Sequence, residues 1–152
     1  MRKAPPNKSA RGAKPGLAGG AKAHIFPVRV YYEDTDAGGI VYYANYLRFA
    51  ERARTEMLRR LGIESSKLMA EAGVAFAVRR CAADFRRPAR LDVRLEVQTR
   101  LIELGGASLE LEQRIVQAGS GSEVVDLVLT LACMTATGKP ARIPPAIRRR
   151  LT

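Results

Sequence analysis

The sequence has no tryptophan and only one histidine, His24, among its 152 residues. A lone imidazole makes a metal site hard to build within one chain, and no metal is expected. The same scarcity argues against a Ser-His or Cys-His nucleophile pair. Cysteine is scarce too. Cys81 and Cys133 lie far apart inside apolar segments, with no second ligand pair beside either. They read as reduced core thiols rather than as a disulfide. No apolar run reaches the roughly 18 residues that a membrane helix needs. Residues 1–26 lack the apolar block of a secretory signal, so a cytoplasmic location is expected.

Acid is missing from those first 26 residues, which carry six cations (Arg2, Lys3, Lys8, Arg11, Lys14 and Lys22). The formal charge of +11 is therefore concentrated there, and residues 27–152 hold 20 cations against 15 acids. Aromatics are few, at five tyrosines and four phenylalanines. They do not interleave with Lys or Arg as a base-stacking surface would require, so nucleic acid is not an expected partner. A moderately basic folded part suits an anionic small molecule. Residues 1–26, rich in Ala, Gly, Pro and Lys, are expected to form a disordered basic tail. The expected domain is 27–145, followed by a basic end over 146–152. Hydrophobic residues make up 47% of the chain, enough for one domain with a core.

Residues 27–33 alternate as a strand, with Val28, Val30 and Tyr32 on one face. Residues 34–39 form a loop whose paired glycines allow unusual backbone angles. A long helix is expected from about Ala44 to Leu61, where Tyr46, Leu47, Ala50, Ala53, Met57, Leu58 and Leu61 recur at helical spacing. Asn45 is its expected cap and Gly62 its stop. A shorter helix is expected over 66–72, between Ser65 as cap and Gly73 as stop. The rest reads as strands over 74–85, 92–104, 107–117 and 124–137, with turns at Gly105-Gly106 and Gly119–Gly121. The last strand is apolar on both faces, as for a strand covered on both sides. Residues 138–152 read as a basic, proline-containing end. One strand, one long helix and four long strands give an α+β fold, an antiparallel sheet of about five strands covering the helix. One helix cannot cover both faces of that sheet, so a dimer is expected.

The densest chemistry lies in Tyr31–Tyr46, where Glu33, Asp34 and Asp36 enter a glycine loop directly before the long helix. Helix N-termini present unpaired N–H groups and partial positive charge, which can hold a developing oxyanion or a thioester carbonyl. A carboxylate in the preceding loop can reach the same carbon as nucleophile or as base for water. Acids before a helix also serve simply as caps. Three acids within four positions could equally attract a divalent cation, but their spacing is not that of a calcium loop.

The run Tyr32-Glu33-Asp34-Thr35-Asp36-Ala37-Gly38-Gly39-Ile40-Val41-Tyr42-Tyr43-Ala44-Asn45-Tyr46-Leu47, followed by Glu51-Arg52-Ala53-Arg54-Thr55-Glu56, resembles a known signature. It is that of the 4-hydroxybenzoyl-CoA thioesterase-like hot-dog family, most similar to the Tol-Pal-associated acyl-CoA thioesterase branch. Residues 84–92 resemble the family's strand-to-strand connection, and the likeness spans roughly 27–145. The resemblance implies a hot-dog fold, a curved sheet wrapped around the long helix. It implies a homodimer with active sites at the subunit interface, often paired into a homotetramer. It implies hydrolysis of an acyl-CoA, short- to medium-chain, with coenzyme A as part of the substrate and no separate cofactor. The catalytic carboxylate falls on Asp36, and the helix-start N–H that polarises the thioester falls on Tyr43. The Tol-Pal-associated branch often has histidine at the Tyr43 position, whereas tyrosine is the hydroxybenzoyl-type residue.

Gly39, Ile40, Val41, Asn45 and Tyr46 are the expected walls of the acyl site. Arg86, Arg87 and Arg90 suit the coenzyme's phosphates through charge and forked hydrogen bonds. Arg142, near Lys139, is a further candidate. Glu51 is the reserve catalytic acid, and Glu33 and Asp34 are expected to orient the loop. Acyl carrier protein is an additional candidate partner. Two other functions compete. A dehydratase acting on carrier-bound substrates would need an imidazole, and a non-catalytic binder of acyl thioesters would release no thiol.

Overall fold

The computed structural model describes residues 22–152, and most of the expected basic tail lies outside the described residues. The first strand, β1 (His24–Arg29), begins three residues inside the segment expected to be tail. Phe26, Val28 and Val30 turn toward the core, while Ile25 and Pro27 face out. The strand also ends earlier than the alternation predicts. The Asp34 carboxylate accepts the Tyr31 N–H at 2.8 Å and closes a short 3₁₀ turn over Tyr32–Asp34. Tyr32 is therefore 82% exposed and does not share the face of Val28 and Val30.

After the long helix α1 (Tyr43–Arg60) and the short α2 (Ser65–Ala72) come β2 (Ala75–Phe85), β3 (Arg94–Leu104), β4 (Ser108–Gln117) and β5 (Glu123–Met134). All five strands pair antiparallel in the order β1-β3-β4-β5-β2. Register is fixed by the buried face. Val97 lies opposite Ile115, and Ile115 opposite Val125, all three fully buried. A one-residue slip would turn each of them to solvent. β1 and β2 form the two sheet edges. The expectation for the last strand needs correcting for the single chain. One face of β5 buries Leu127, Leu129, Leu131 and Cys133, but Val128 on the other is 42% exposed.

The 18 residues of α1 run about 27 Å at the usual rise. Tyr46, Phe49, Ala50, Ala53 and Met57 form its buried stripe, whereas Leu47 and Leu61 are exposed. The stripe crosses two apolar clusters. Tyr46 through Ala53 joins Val30, Leu95, Ile115 and Leu127, and Met57 and Leu58 join Leu109, Leu131 and Ile147. Between them lies a buried polar bridge. Gln113 of β4, fully buried, accepts from Arg54 and donates to the Ala50 carbonyl and the Thr99 hydroxyl, each at 2.9 Å.

Among the described residues no side chain caps α1. Asn45 sits inside it, buried, with its amide donating to the Asp34 carbonyl at 2.9 Å. Glu64, rather than Ser65, occupies the cap position of α2. Gly62 and Gly73 adopt φ of 76° and 68° just past the two helices, where a side chain would be strained. The basic C-terminal end is partly a helix that the sequence pattern concealed, α3 (Pro145–Leu151). Ile147 and Leu151, one turn apart, bury themselves in the second cluster. Arg148 donates to the Gly105 carbonyl at 2.5 Å, and Arg150 to that of Gly62. The far end of the molecule is thereby tied to α1 and to the β3–β4 turn.

Candidate active site

Residues 35–41 form a miniature hairpin directly before α1. Thr35 pairs with Val41, and the Asp36 N–H donates to the Ile40 carbonyl at 2.9 Å. The Gly39 N–H returns to the Asp36 carbonyl at 3.0 Å, with Gly39 at φ 74°. That angle explains a glycine here, since it lies in the left-handed region. The Asp36 side chain is exposed at the tip and accepts the Gly38 N–H at 2.8 Å through Oδ1. A methyl group on Gly38 would approach that same Oδ1 to 3.1 Å, so the small residue leaves the carboxylate its place.

The neighbouring acids divide the labour. Asp34 is 7% exposed and turned inward to backbone and side-chain partners. Its carboxylate holds the Tyr31 N–H, and its carbonyl takes both the Tyr42 N–H and the Asn45 amide at 2.9 Å. Glu33 is exposed. Asn45 also accepts from Arg48 at 3.1 Å, so both ends of its amide are engaged within the chain.

Tyr43 opens α1. Among the described residues neither its N–H nor that of Ala44 meets a backbone or side-chain acceptor, whereas the Asn45 N–H is taken by the Tyr42 carbonyl. Those free donors at a helix start carry the positive end of the helix dipole. Three rings stand beside them. Tyr43 meets Phe85 edge to face at 6.0 Å between centroids, and Tyr46 meets Phe85 at 6.0 Å with a 45° tilt. Tyr43 and Phe85 are 57% and 50% exposed, while Tyr46 is buried. Burial pushes the Tyr46 phenol up, against a smaller opposing pull from its bond with the Ala89 backbone. The Tyr43 phenol beside it raises that of Tyr42.

The connection after β2 comes to the same place. The Ala89 carbonyl accepts the Val41 N–H at 2.9 Å, Arg90 bridges to Ile40, and the Ala89 N–H donates to the Tyr46 hydroxyl at 3.0 Å. At its other end the N–H groups of Arg86 and Arg87 both point at the Val124 carbonyl, 2.8 and 3.2 Å away. The three arginines then differ. Arg86 is committed to Asp126 at 2.5 Å, with Glu123 at 3.8 Å, and that hydrogen bond holds its guanidinium above its ordinary range. Arg87 and Arg90 line a depression of about 170 Å³ together with Gln117 and Ser122.

Asp36, Gly39–Val41, Tyr43 and Arg90 thus belong to one neighbourhood, joined through Ala89. Arg142 stands elsewhere, near Gly106 of the β3–β4 turn. Glu51 is exposed on α1 and accepts from Thr55 at 2.8 Å, an intrahelical bond. A second depression of about 380 Å³ lies among Ala77–Arg79, Ala132 and Pro140, and neither depression is lined by Asp36 or Tyr43. Phe85 was not among the expected site residues. Its signal in the sequence is an aromatic ending an apolar strand immediately before Arg86-Arg87. Among the described residues no three His, Cys, Asp or Glu side chains gather as metal ligands, and no helix is long and apolar enough to cross a membrane.

Comparison with known proteins adds three findings. The sequence profile of the thioesterase-like superfamily matches residues 30–151. The acyl-CoA thioester hydrolase YbgC of Escherichia coli O6:H1 is 48% identical over 122 residues, covering 80% of this chain and 90% of that protein. Among solved structures, a probable thioesterase from Bartonella henselae superposes with a TM-score of 0.76 at 38% identity, covering 80% of this chain and 99% of that one. A 1,4-dihydroxy-2-naphthoyl-CoA thioesterase from Synechocystis superposes at 0.79 with 21% identity over 85% and 95% of the two chains, a likeness of fold. The five-stranded sheet and its long helix are thus a hot-dog fold.

Proposed function

We propose a site and a mechanism for this chain, which belongs to the thioesterase-like superfamily and is a thioester hydrolase acting on acyl-CoA. Asp36 is the reacting carboxylate. The observation that carries this reading is its place, an exposed acid on a hydrogen-bonded hairpin directly before α1, whose first N–H groups have no acceptor among the described residues. A thioester carbonyl docked at the Tyr43 N–H is polarised toward an oxyanion. One such donor contributes about 3 kcal/mol in comparable sites. Asp36 then either attacks the carbonyl carbon or takes a proton from a water that does so. In both routes the C–S bond breaks, and coenzyme A leaves as a thiolate that recovers a proton. Water supplies the oxygen that ends in the free acid.

The acyl group lies against Gly39–Val41 and the Tyr43 and Phe85 rings, whose exposed edges offer an apolar surface. A short- to medium-chain acyl group fits this reading. Arg87 and Arg90 receive the coenzyme's phosphates, because Arg86 is already held by two carboxylates. The same arginines would meet the phosphopantetheine of an acyl carrier protein.

The site is open on one chain, and we assign its missing wall to a second copy. β2 is an edge strand of 11 residues, with Val78 and Phe85 49% and 50% exposed. A long exposed edge is a template for pairing with another strand. β2 ends at Phe85, against Tyr43, so a copy joined along β2 would stand beside Asp36. The exposed apolar face around Val128 supports further pairing into a tetramer. A cytoplasmic location and a role beside the Tol-Pal system complete the proposal.

The test is thiol release from a panel of acyl-CoAs by wild type and Asp36→Asn. The amide keeps an oxygen for the Gly38 N–H, so the hairpin should persist. The expected loss in kcat is about a thousandfold, the scale of removing a catalytic base or nucleophile. Turnover within threefold of wild type would refute the assignment.

A further inference from the structure

We propose that Tyr46 is a positioning residue for the coenzyme. Its hydroxyl fixes the Arg87–Arg90 segment relative to the Asp36 hairpin. The inference rests on the reading above that Arg87 and Arg90 meet the phosphates.

Three segments converge on one residue, Ala89, which is 3% exposed. Its carbonyl accepts from Val41 at 2.9 Å, one residue past the Asp36–Ile40 hydrogen bond. Its N–H donates to Tyr46 at 3.0 Å, across 43 positions of sequence. Both polar backbone groups of Ala89 are thus spent on linking three segments: the hairpin, the arginine connection and the first turns of α1. On either side of this anchor the connection carries Arg87, Pro88 and Arg90 outward, all exposed. Pro88 has no N–H and adds no further donor. The next backbone attachments are at Arg87, to Val124, and at Arg90, to Ile40 and Val93.

The Tyr46 ring has a separate task. It packs against Phe49 at 6.2 Å and Phe85 at 6.0 Å, and these contacts do not involve the hydroxyl. The two tasks separate by chemistry. Tyr46→Phe keeps the ring and leaves a buried N–H with no partner, which costs free energy as long as Ala89 stays in place. The connection relieves that cost by shifting, and its arginines shift with it.

A change confined to the arginines has a signature that general loosening lacks. An acyl-CoA uses them, whereas the acyl thioester of N-acetylcysteamine, which has no nucleotide or phosphate, does not. For Tyr46→Phe, kcat/KM for acyl-CoA should fall about tenfold, chiefly through KM, equivalent to about 1.4 kcal/mol. For the truncated thioester it should change less than twofold. Arg87→Ala should show the same split, and adding Tyr46→Phe to it should cost little more. Equal losses with both substrates, or no loss with either, would overturn the proposal. Amide hydrogen exchange of wild type provides an arm independent of turnover. The Ala89 N–H should exchange slowly in wild type and at least tenfold faster in Tyr46→Phe. Exchange at open-loop rates in wild type would defeat the anchor even if Asp36 is catalytic. If wild type instead released no thiol from either substrate, the catalytic reading would fail while the exchange result still judged the anchor.

Discussion

Replacing Gln113 with leucine removes a buried polar junction without emptying its space, and its cost can be worked from the contacts. Gln113 is fully exclusive of solvent and makes three hydrogen bonds of 2.9 Å, to Arg54, Ala50 and Thr99. The bond from Arg54 matters most. Arg54 is 9% exposed, and its guanidinium forms no salt bridge among the described residues and is held below its ordinary range by burial, with partial relief from Glu51 and Cys81. Losing a hydrogen bond to a buried charge costs about 1.5–3 kcal/mol, and an orphaned hydroxyl at Thr99 about 1 more. The Ala50 carbonyl lies inside α1, where the helix ladder also serves it. The net expectation is a loss of about 3 kcal/mol, or about 10 °C in Tm for a domain of this size. Urea unfolding at a fixed protein concentration, with an unchanged m-value, measures it. Gln113→Glu, which returns an acceptor to Arg54, should lose less than Gln113→Leu. If Gln113→Leu stays within 1 kcal/mol of wild type, the junction does not hold α1 to the sheet as argued.

Two further outcomes follow from the same structure. His24 is held below its ordinary 6.5 by burial first and the Arg60 charge second, against an opposing pull from Glu56. Below pH 6.5 the unfolded chain therefore binds a proton that the folded chain resists. Stability should fall as pH drops from 6.5 through the lowered folded value, and His24→Gln should flatten that slope in urea titrations. Val78→Asp on exposed β2 should hold the chain as a monomer in sedimentation and abolish thiol release while leaving its helical circular dichroism intact. An active monomer would sink the two-copy site.

Much of this architecture was legible because it rests on local rules. The stripe from Tyr46 to Leu58 announces α1, and the alternation of Val93, Leu95 and Val97 announces β3. The paired glycines after Asp36 mark the hairpin because one of them needs a positive φ. The misreadings arise where a side chain acts at a distance. Val28, Val30 and Tyr32 alternate faultlessly, yet the Asp34 carboxylate captures the Tyr31 N–H and ends the strand. Asn45 looked like a cap because of its type and position, but its amide reaches back 11 residues to Asp34. α3 was hidden by three consecutive arginines, although Ile147 and Leu151 stand at helical spacing. Gln113 is the subtler case. It shares strand parity with Leu111 and Ile115, which already places a polar group in the core, but only the fold shows that Arg54 and Thr99 come to meet it.

The arrangement also explains why a carboxylate on an exposed hairpin can hold a fixed position without being buried. Rigidity comes from outside the loop. Asp34 pins the approach, Ala89 pins the return at Val41, and the free N–H groups of α1 lie immediately beyond. The ties at Asp34 and Ala89 leave the Asp36 carboxylate aside; its Oδ1 takes the Gly38 N–H, and its Oδ2 makes no hydrogen bond within the chain among the described residues. A thioester hydrolase needs that division. An acid with both oxygens spent on its own loop is unavailable to a carbonyl carbon, and an acid on an unsupported loop rarely finds one. The cost is an open side. Phe85 ends the sheet's free edge beside Tyr43, with half of each ring uncovered, and among the described residues no strand extends that edge. Water must be limited there for the helix dipole to act at full strength. The apolar rings can exclude it only when something lies across them, so the proposed assembly along β2 would be part of the catalytic machinery rather than a separate property.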